Sequence, residues 1–171
     1  MTLYDSDGER PQADATGGSR LPISTADGKG FRVCQIEDVI IRFAVSCDES
    51  EFAGVAEMLT DDVELAAPGQ GLLVGPGRDL VLAHAKAATA ARAARGERGR
   101  HLITNVRVDM APDGSATARS YVTFIVTSAD GTAGIFAFAT YEDRFVRVGE
   151  AWKLAARRMT FDRDELTAAS R

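Results

Sequence analysis

The chain has 171 residues, 45% of them hydrophobic and 26% charged, which is ordinary for one globular domain with a real core. Its formal net charge of -5 argues against general nucleic-acid binding, which needs a basic face to displace counterions. No apolar run approaches the roughly 20 residues needed to span a bilayer, so no membrane segment is expected.

Residues 1–30 are polar and rich in Gly, Asp and Ser, and read as a disordered N-terminal arm. The start is acidic and has no apolar stretch, unlike a secretory signal, which points to the cytoplasm. Residues 31–163 read as the folded domain and 164–171 as a tail.

Val33, Ile36, Ile40, Phe43 and Cys47 recur at steps of three and four, the stripe of an amphipathic helix ending at Asp48. Cys34 and Cys47 fall on that helix, about 20 Å apart at ~1.5 Å per residue. A disulfide needs Cα atoms within about 7 Å, so the two cannot pair within one chain. Without a second Cys/His cluster, a structural zinc site is not expected.

A second short helix follows, with Phe52, Val55, Ala56 and Leu59 on its buried face. Thr60-Asp61-Asp62 turns into a strand from Val63 to Ala66. Another short apolar piece, Leu72 to Val74, lies between two Gly/Pro loops. Asp79 is placed to cap an Ala-rich helix running to Arg95. Arg92, Arg95, Arg98 and Arg100 cluster at its end, where the macrodipole favours cations. They read as a solvated helix end, with an anionic partner as the sharper alternative.

From His101 the pattern changes to strands: His101–Met110, Ala116–Thr127, Ile135–Val148 and Trp152–Asp162, joined by Pro112-Asp-Gly114, Ala129-Asp-Gly131 and Gly149-Glu150 turns. Along the second of them Arg119, Tyr121 and Thr123 fall on one side and Ala118, Val122 and Phe124 on the other. Helices first and an antiparallel meander afterwards indicate an α+β fold, the sheet curling over the helices around an apolar pocket.

Histidine is the side chain best suited to proton transfer near neutral pH, and the chain has only His84 and His101. His101 opens the first long strand, and Asp48 is a carboxylate from a distant segment able to orient it. Two readings of Asp48 are open: a partner for His101 Nδ1, or the cap of the second helix in the capping-box-like run Asp48-Glu49-Ser50-Glu51. His84 reads as a surface or interface residue.

The order of elements resembles the nuclear-transport-factor-2-like α+β cone, and within it the SnoaL-like branch that includes scytalone dehydratase and bile-acid dehydratases. The resemblance is carried by Ile36 to Asp48 (IEDVIIRFAVSCD), Met58-Leu-Thr-Asp-Asp-Val63, Gly77-Arg78, Arg100-His101-Leu-Ile-Thr-Asn105, Tyr141-Glu-Asp-Arg-Phe145 and Gly149-Glu-Ala-Trp152-Lys-Leu154. It covers about residues 31–163. It implies a cone-shaped curved sheet packed on the N-terminal helices. It also implies a cavity in which His101 and Asp48 match the family's strand histidine and first-helix aspartate. Phe43 falls where dehydratase-like members carry a tyrosine. The position of the ketosteroid-isomerase base falls near Ala67, which disfavours that variant.

The resemblance therefore implies a cofactor-free lyase, isomerase or cyclase, most concretely a dehydratase, acting on a mostly apolar cyclic or polyketide-like molecule. His101 is the expected acid/base, Asp48 its orienting partner, and Tyr121 or Tyr141 the candidate hydroxyl donor. Phe43, Thr123, Phe124, Phe138, Trp152 and Met159 are the candidate substrate-binding residues. No cofactor and no metal are called for. A homo-oligomer, dimer or trimer, is expected by analogy with the fold. The alternatives are a non-catalytic ligand-binding or assembly module and the small subunit of a ring-hydroxylating dioxygenase.

Overall fold

The computed structural model describes residues 28–162, so the N-terminal arm up to residue 27 and the tail from residue 163 lie outside the described residues. Three helices, α1 (Lys29–Asp48), α2 (Phe52–Glu57) and α3 (Arg78–Ala94), pack on six strands. The strands are β1 (Leu59–Ala67), β2 (Leu72–Val74), β3 (Arg98–Met110), β4 (Ala116–Thr127), β5 (Ala133–Val148) and β6 (Ala151–Phe161). They form one curved, unclosed sheet in the order β2-β1-β6-β5-β4-β3. The architecture is the expected α+β class. The sheet is not wholly antiparallel, however, because β1 runs parallel to β6.

The apolar stripe of α1 supplies its buried face, with Ile36, Val39, Ile40 and Phe43 entering the main core. That core continues through Val55, Leu59, Val63, Phe145, Trp152 and Leu154. Each such side chain contributes about 1.5–3 kcal/mol when fully buried. The glycine at Gly75 is required for a local reason: a Cβ there would stand 2.6 Å from the Val63 carbonyl oxygen, and its φ is +114°.

Three local expectations are corrected. Leu59 belongs to a strand rather than to the second helix, because Met58 already accepts a bond from the Leu154 amide (2.8 Å) and Leu59 pairs with Leu154. Thr60-Asp61-Asp62 is therefore extended rather than a turn. Asp79 lies inside the first turn of α3, whose cap position is Gly77 without a side-chain bond; its charge still favours the helix N-terminus.

A feature not anticipated from the sequence is the break in β3. Pairing with β4 shifts register between Thr104 and Arg107, and Asn105 takes φ +53°. Asparagine is one of the few residues to tolerate this conformation, and such bulges bend a strand. The half of β3 before the bulge carries His101 and crosses α1.

Candidate active site

The C-terminal residue of α1 reaches the first half of β3. Asp48 Oδ1 lies 2.7 Å from His101 Nδ1, and Asp48 Oδ2 accepts the His101 backbone amide at 2.8 Å. Both carboxylate oxygens are thus committed to one residue. The side chains are only 9% and 20% exposed, so water competes little for the pair. The capping reading of Asp48 is overturned: α2 begins after Glu51 with no side-chain cap bond. A carboxylate accepts only, so the neutral imidazole carries its proton on Nδ1 and leaves Nε2 as a lone-pair base. The ring is packed against Phe124, centroids 4.5 Å apart.

His101 lines a cavity of about 330 Å³ whose walls are mostly apolar. Phe43, Ala44 and Cys47 come from α1. Val122, Phe124, Phe136, Ala139, Tyr141, Met159 and Phe161 come from the sheet. The third wall is α3, through Val81, His84, Ala85, Ala88, Thr89 and Arg92. That spacing is one helical face, and its alanines explain the composition of α3: methyl groups close the cavity without filling it.

Arg157, on the cavity wall, belongs to a pair that the sequence reading missed. Arg157 donates from Nε and Nη2 to the two Asp143 oxygens, at 2.7 and 2.8 Å, with both side chains buried. The guanidinium lies over the rings of Tyr141 (4.2 Å to the ring centre) and Phe43 (4.9 Å). Burial works against the charge of Arg157, but the Asp143 carboxylate outweighs it and holds the guanidinium protonated. Burial likewise pushes the Tyr141 phenol upward in pKa, which keeps it a neutral O–H donor. The Cys47 thiol is pushed up to about 11, chiefly by burial, and is no nucleophile at neutral pH.

The predicted residues divide by strand parity. Phe43, Phe124, Tyr141 and Met159 stand on the cavity wall. Tyr121, Thr123 and Phe138 do not: once His101 and its cross-strand neighbour Phe124 face inward, alternation turns 121 and 123 outward, with Phe138 paired to Thr123. Tyr121 and Phe138 are each 50% exposed on that outer face. Trp152 is also displaced from the site, packing in the main core instead. His84, expected at the surface, is exposed and at the same time lines the cavity rim. Among the described residues no three His, Cys, Asp or Glu side chains gather into a metal-binding group. No described helix is long and apolar enough to cross a membrane.

Residues 33–158 match the SnoaL-like domain family, and the chain belongs to that family. No curated protein matches it. Among solved structures it is similar to Aln2 from a Streptomyces species (23% identity, 77% of this chain and 91% of that one, TM-score 0.68). It is similar also to Rv3472, a function-unknown protein from Mycobacterium tuberculosis (26% identity, 83% and 78%, TM-score 0.70). A third is a putative scytalone dehydratase from Novosphingobium aromaticivorans (21% identity, 80% and 88%, TM-score 0.68).

Proposed function

We propose that the protein is a cofactor-free lyase or isomerase that moves protons on a mostly apolar cyclic molecule, with dehydration its most concrete form. The observation that carries this reading is the double anchoring of His101 by Asp48 at the wall of an apolar cavity. Membership of the SnoaL-like family and the likeness to a scytalone-dehydratase-type structure support it.

In this scheme His101 Nε2 removes a proton from the carbon next to a ring carbonyl. The electron pair moves onto the carbonyl oxygen, where the Tyr141 O–H donates a hydrogen bond and the nearby Arg157 charge favours the developing anion. The imidazolium, stabilised by Asp48, then gives its proton to a hydroxyl on the adjacent carbon. The enolate pair forms the new C=C bond, and water leaves. If the substrate instead carries a C=C bond next to the deprotonated carbon, the enolate is conjugated, and return of the proton to the far carbon of that bond amounts to isomerisation. Of the two candidate donors, Tyr121 faces outward and Tyr141 takes this part.

Proton abstraction is testable without knowing the product. 2-Tetralone in D2O should exchange its α-protons faster with the protein than in buffer, as followed by proton NMR, and His101→Gln should remove the acceleration. Equal exchange with the variant, or none above buffer, would instead favour a non-catalytic binding module, the reading encouraged by Phe43 at the family's tyrosine position.

We also propose a homo-oligomer formed through the outer sheet face. Leu102, Tyr121, Ile135 and Phe138 are exposed there, and large apolar patches on soluble chains commonly mark contact surfaces.

A further inference from the structure

Arg92 differs from Arg95 and Arg100 near the end of α3. Arg95 is held by Glu97 through two bonds of 3.0 and 2.7 Å, and Arg100 points to Glu49 at 3.5 Å. Arg92 makes no ion pair within 4 Å among the described residues, and the nearby Glu97 carboxylate is already taken by Arg95. Yet Arg92 is not a loose surface cation. Its guanidinium lies 5.1 Å from the Phe124 ring centre, is 3.4 Å from the Thr89 hydroxyl, and lines the cavity.

The neighbouring backbone makes room for this arrangement. A Cβ on Gly99 would stand 2.3 Å from the Phe124 ring and 3.2 Å from Arg92 Nε. Gly99 lies two residues before His101 on the same face of β3, so the bare backbone there lets Phe124 serve as a shared platform. His101 packs against that ring and Arg92 lies over it.

A part-buried guanidinium without an ion pair within 4 Å among the described residues, restricted in orientation at the wall of an apolar cavity, is suited to an oxyanion. Its planar donors match a carboxylate, and removal from bulk water strengthens the bond. We propose that Arg92 is a substrate-binding residue, and that the substrate class is an apolar ring system bearing a carboxylate, with the carboxylate on Arg92 and the ring body reaching His101. This deepens the proposed function and rests on it for the reaction, but the anion preference stands on Arg92 alone.

The test compares two probes of the same shape, 2-naphthoate and the neutral 2-naphthamide, titrated by calorimetry into the wild type, Arg92→Gln and His101→Gln. The wild type and His101→Gln should bind 2-naphthoate about tenfold more tightly than 2-naphthamide. Arg92→Gln should lose that preference while keeping its affinity for 2-naphthamide, which shows that its cavity is intact. Equal affinities in the wild type, no binding of either probe, or a preference that survives in Arg92→Gln would overturn the proposal. Anion preference without 2-tetralone exchange would count against the proton chemistry only. Exchange without anion preference would count against Arg92 only.

Discussion

Asp143 and Arg157 face each other across β5 and β6 as a directly paired couple, joined by two parallel hydrogen bonds and shut away from solvent. A buried charge deprived of its partner costs about 3–5 kcal/mol. Asp143→Ala should therefore lower unfolding stability by that amount, read from urea denaturation. The double variant Asp143→Leu/Arg157→Met should recover most of the loss. A loss below about 1 kcal/mol for the single variant, as for an exposed pair, would contradict this account.

Gly99 gives a steric prediction. Gly99→Ala forces its methyl into the Phe124 ring, the kind of overpacking that costs about 1–3 kcal/mol. The thermal midpoint should fall, and the His101 ring-proton signals should shift because Phe124 is their aromatic neighbour. A variant with unchanged midpoint and spectrum would show that the ring can move aside freely.

The cysteines should differ in reactivity. Cys34 is exposed, whereas Cys47 lies at the cavity with its thiol pushed up to about 11 by burial. At pH 8 a disulfide reagent should titrate one thiol quickly and the second only after denaturation. A pKa raised in the folded state favours the protonated form there, so this stability is intact below the ordinary thiol value of about 8.5. It is lost as pH climbs towards about 11. Two equally fast thiols in the native protein would contradict the burial of Cys47.

Much of the fold was legible because hydrophobic period is a local property. The stripe from Val33 to Cys47 and the turns Pro112-Asp-Gly114 and Ala129-Asp-Gly131 fix the helix and hairpins without reference to distant residues. The parallel β1–β6 pairing was not legible, since nothing in Leu59 to Ala67 names its partner. The bulge at Asn105 was hidden for the same reason, its cause being the pairing with β4.

For the site, His101 and Asp48 stood out by residue type and by family resemblance. Tyr121 and Thr123 were misplaced although the alternation along β4 had already put them opposite Phe124; what was lacking was which side faces the cavity. Asp143 and Arg157 did leave a signal. Asp143 occupies an inward position between Tyr141 and Phe145, and a charge among buried neighbours asks for a partner. Arg92 was legible only as one of four helix-end arginines with an anionic partner as the sharper alternative; what sets it apart depends on Gly99 and Phe124, which only the folded chain brings together.

If the proposed scheme holds, His101→Gln should lower kcat on the natural substrate by about 10²–10⁴, the usual contribution of general acid–base catalysis. The variant should still bind 2-naphthoate, so the loss belongs to kcat and not to KM. A loss confined to KM would assign His101 to binding.

The proposed chemistry depends most on Asp48 fixing the proton of His101, and nitrogen-15 NMR of the imidazole reads this directly. In a His84→Gln background only His101 contributes. With the ring neutral, Nδ1 should show the protonated shift and Nε2 the lone-pair shift, and Asp48→Ala should collapse this into a mixture of tautomers. A proton on Nε2, or a mixture already present and unmoved by Asp48→Ala, would show that the carboxylate does not orient the base.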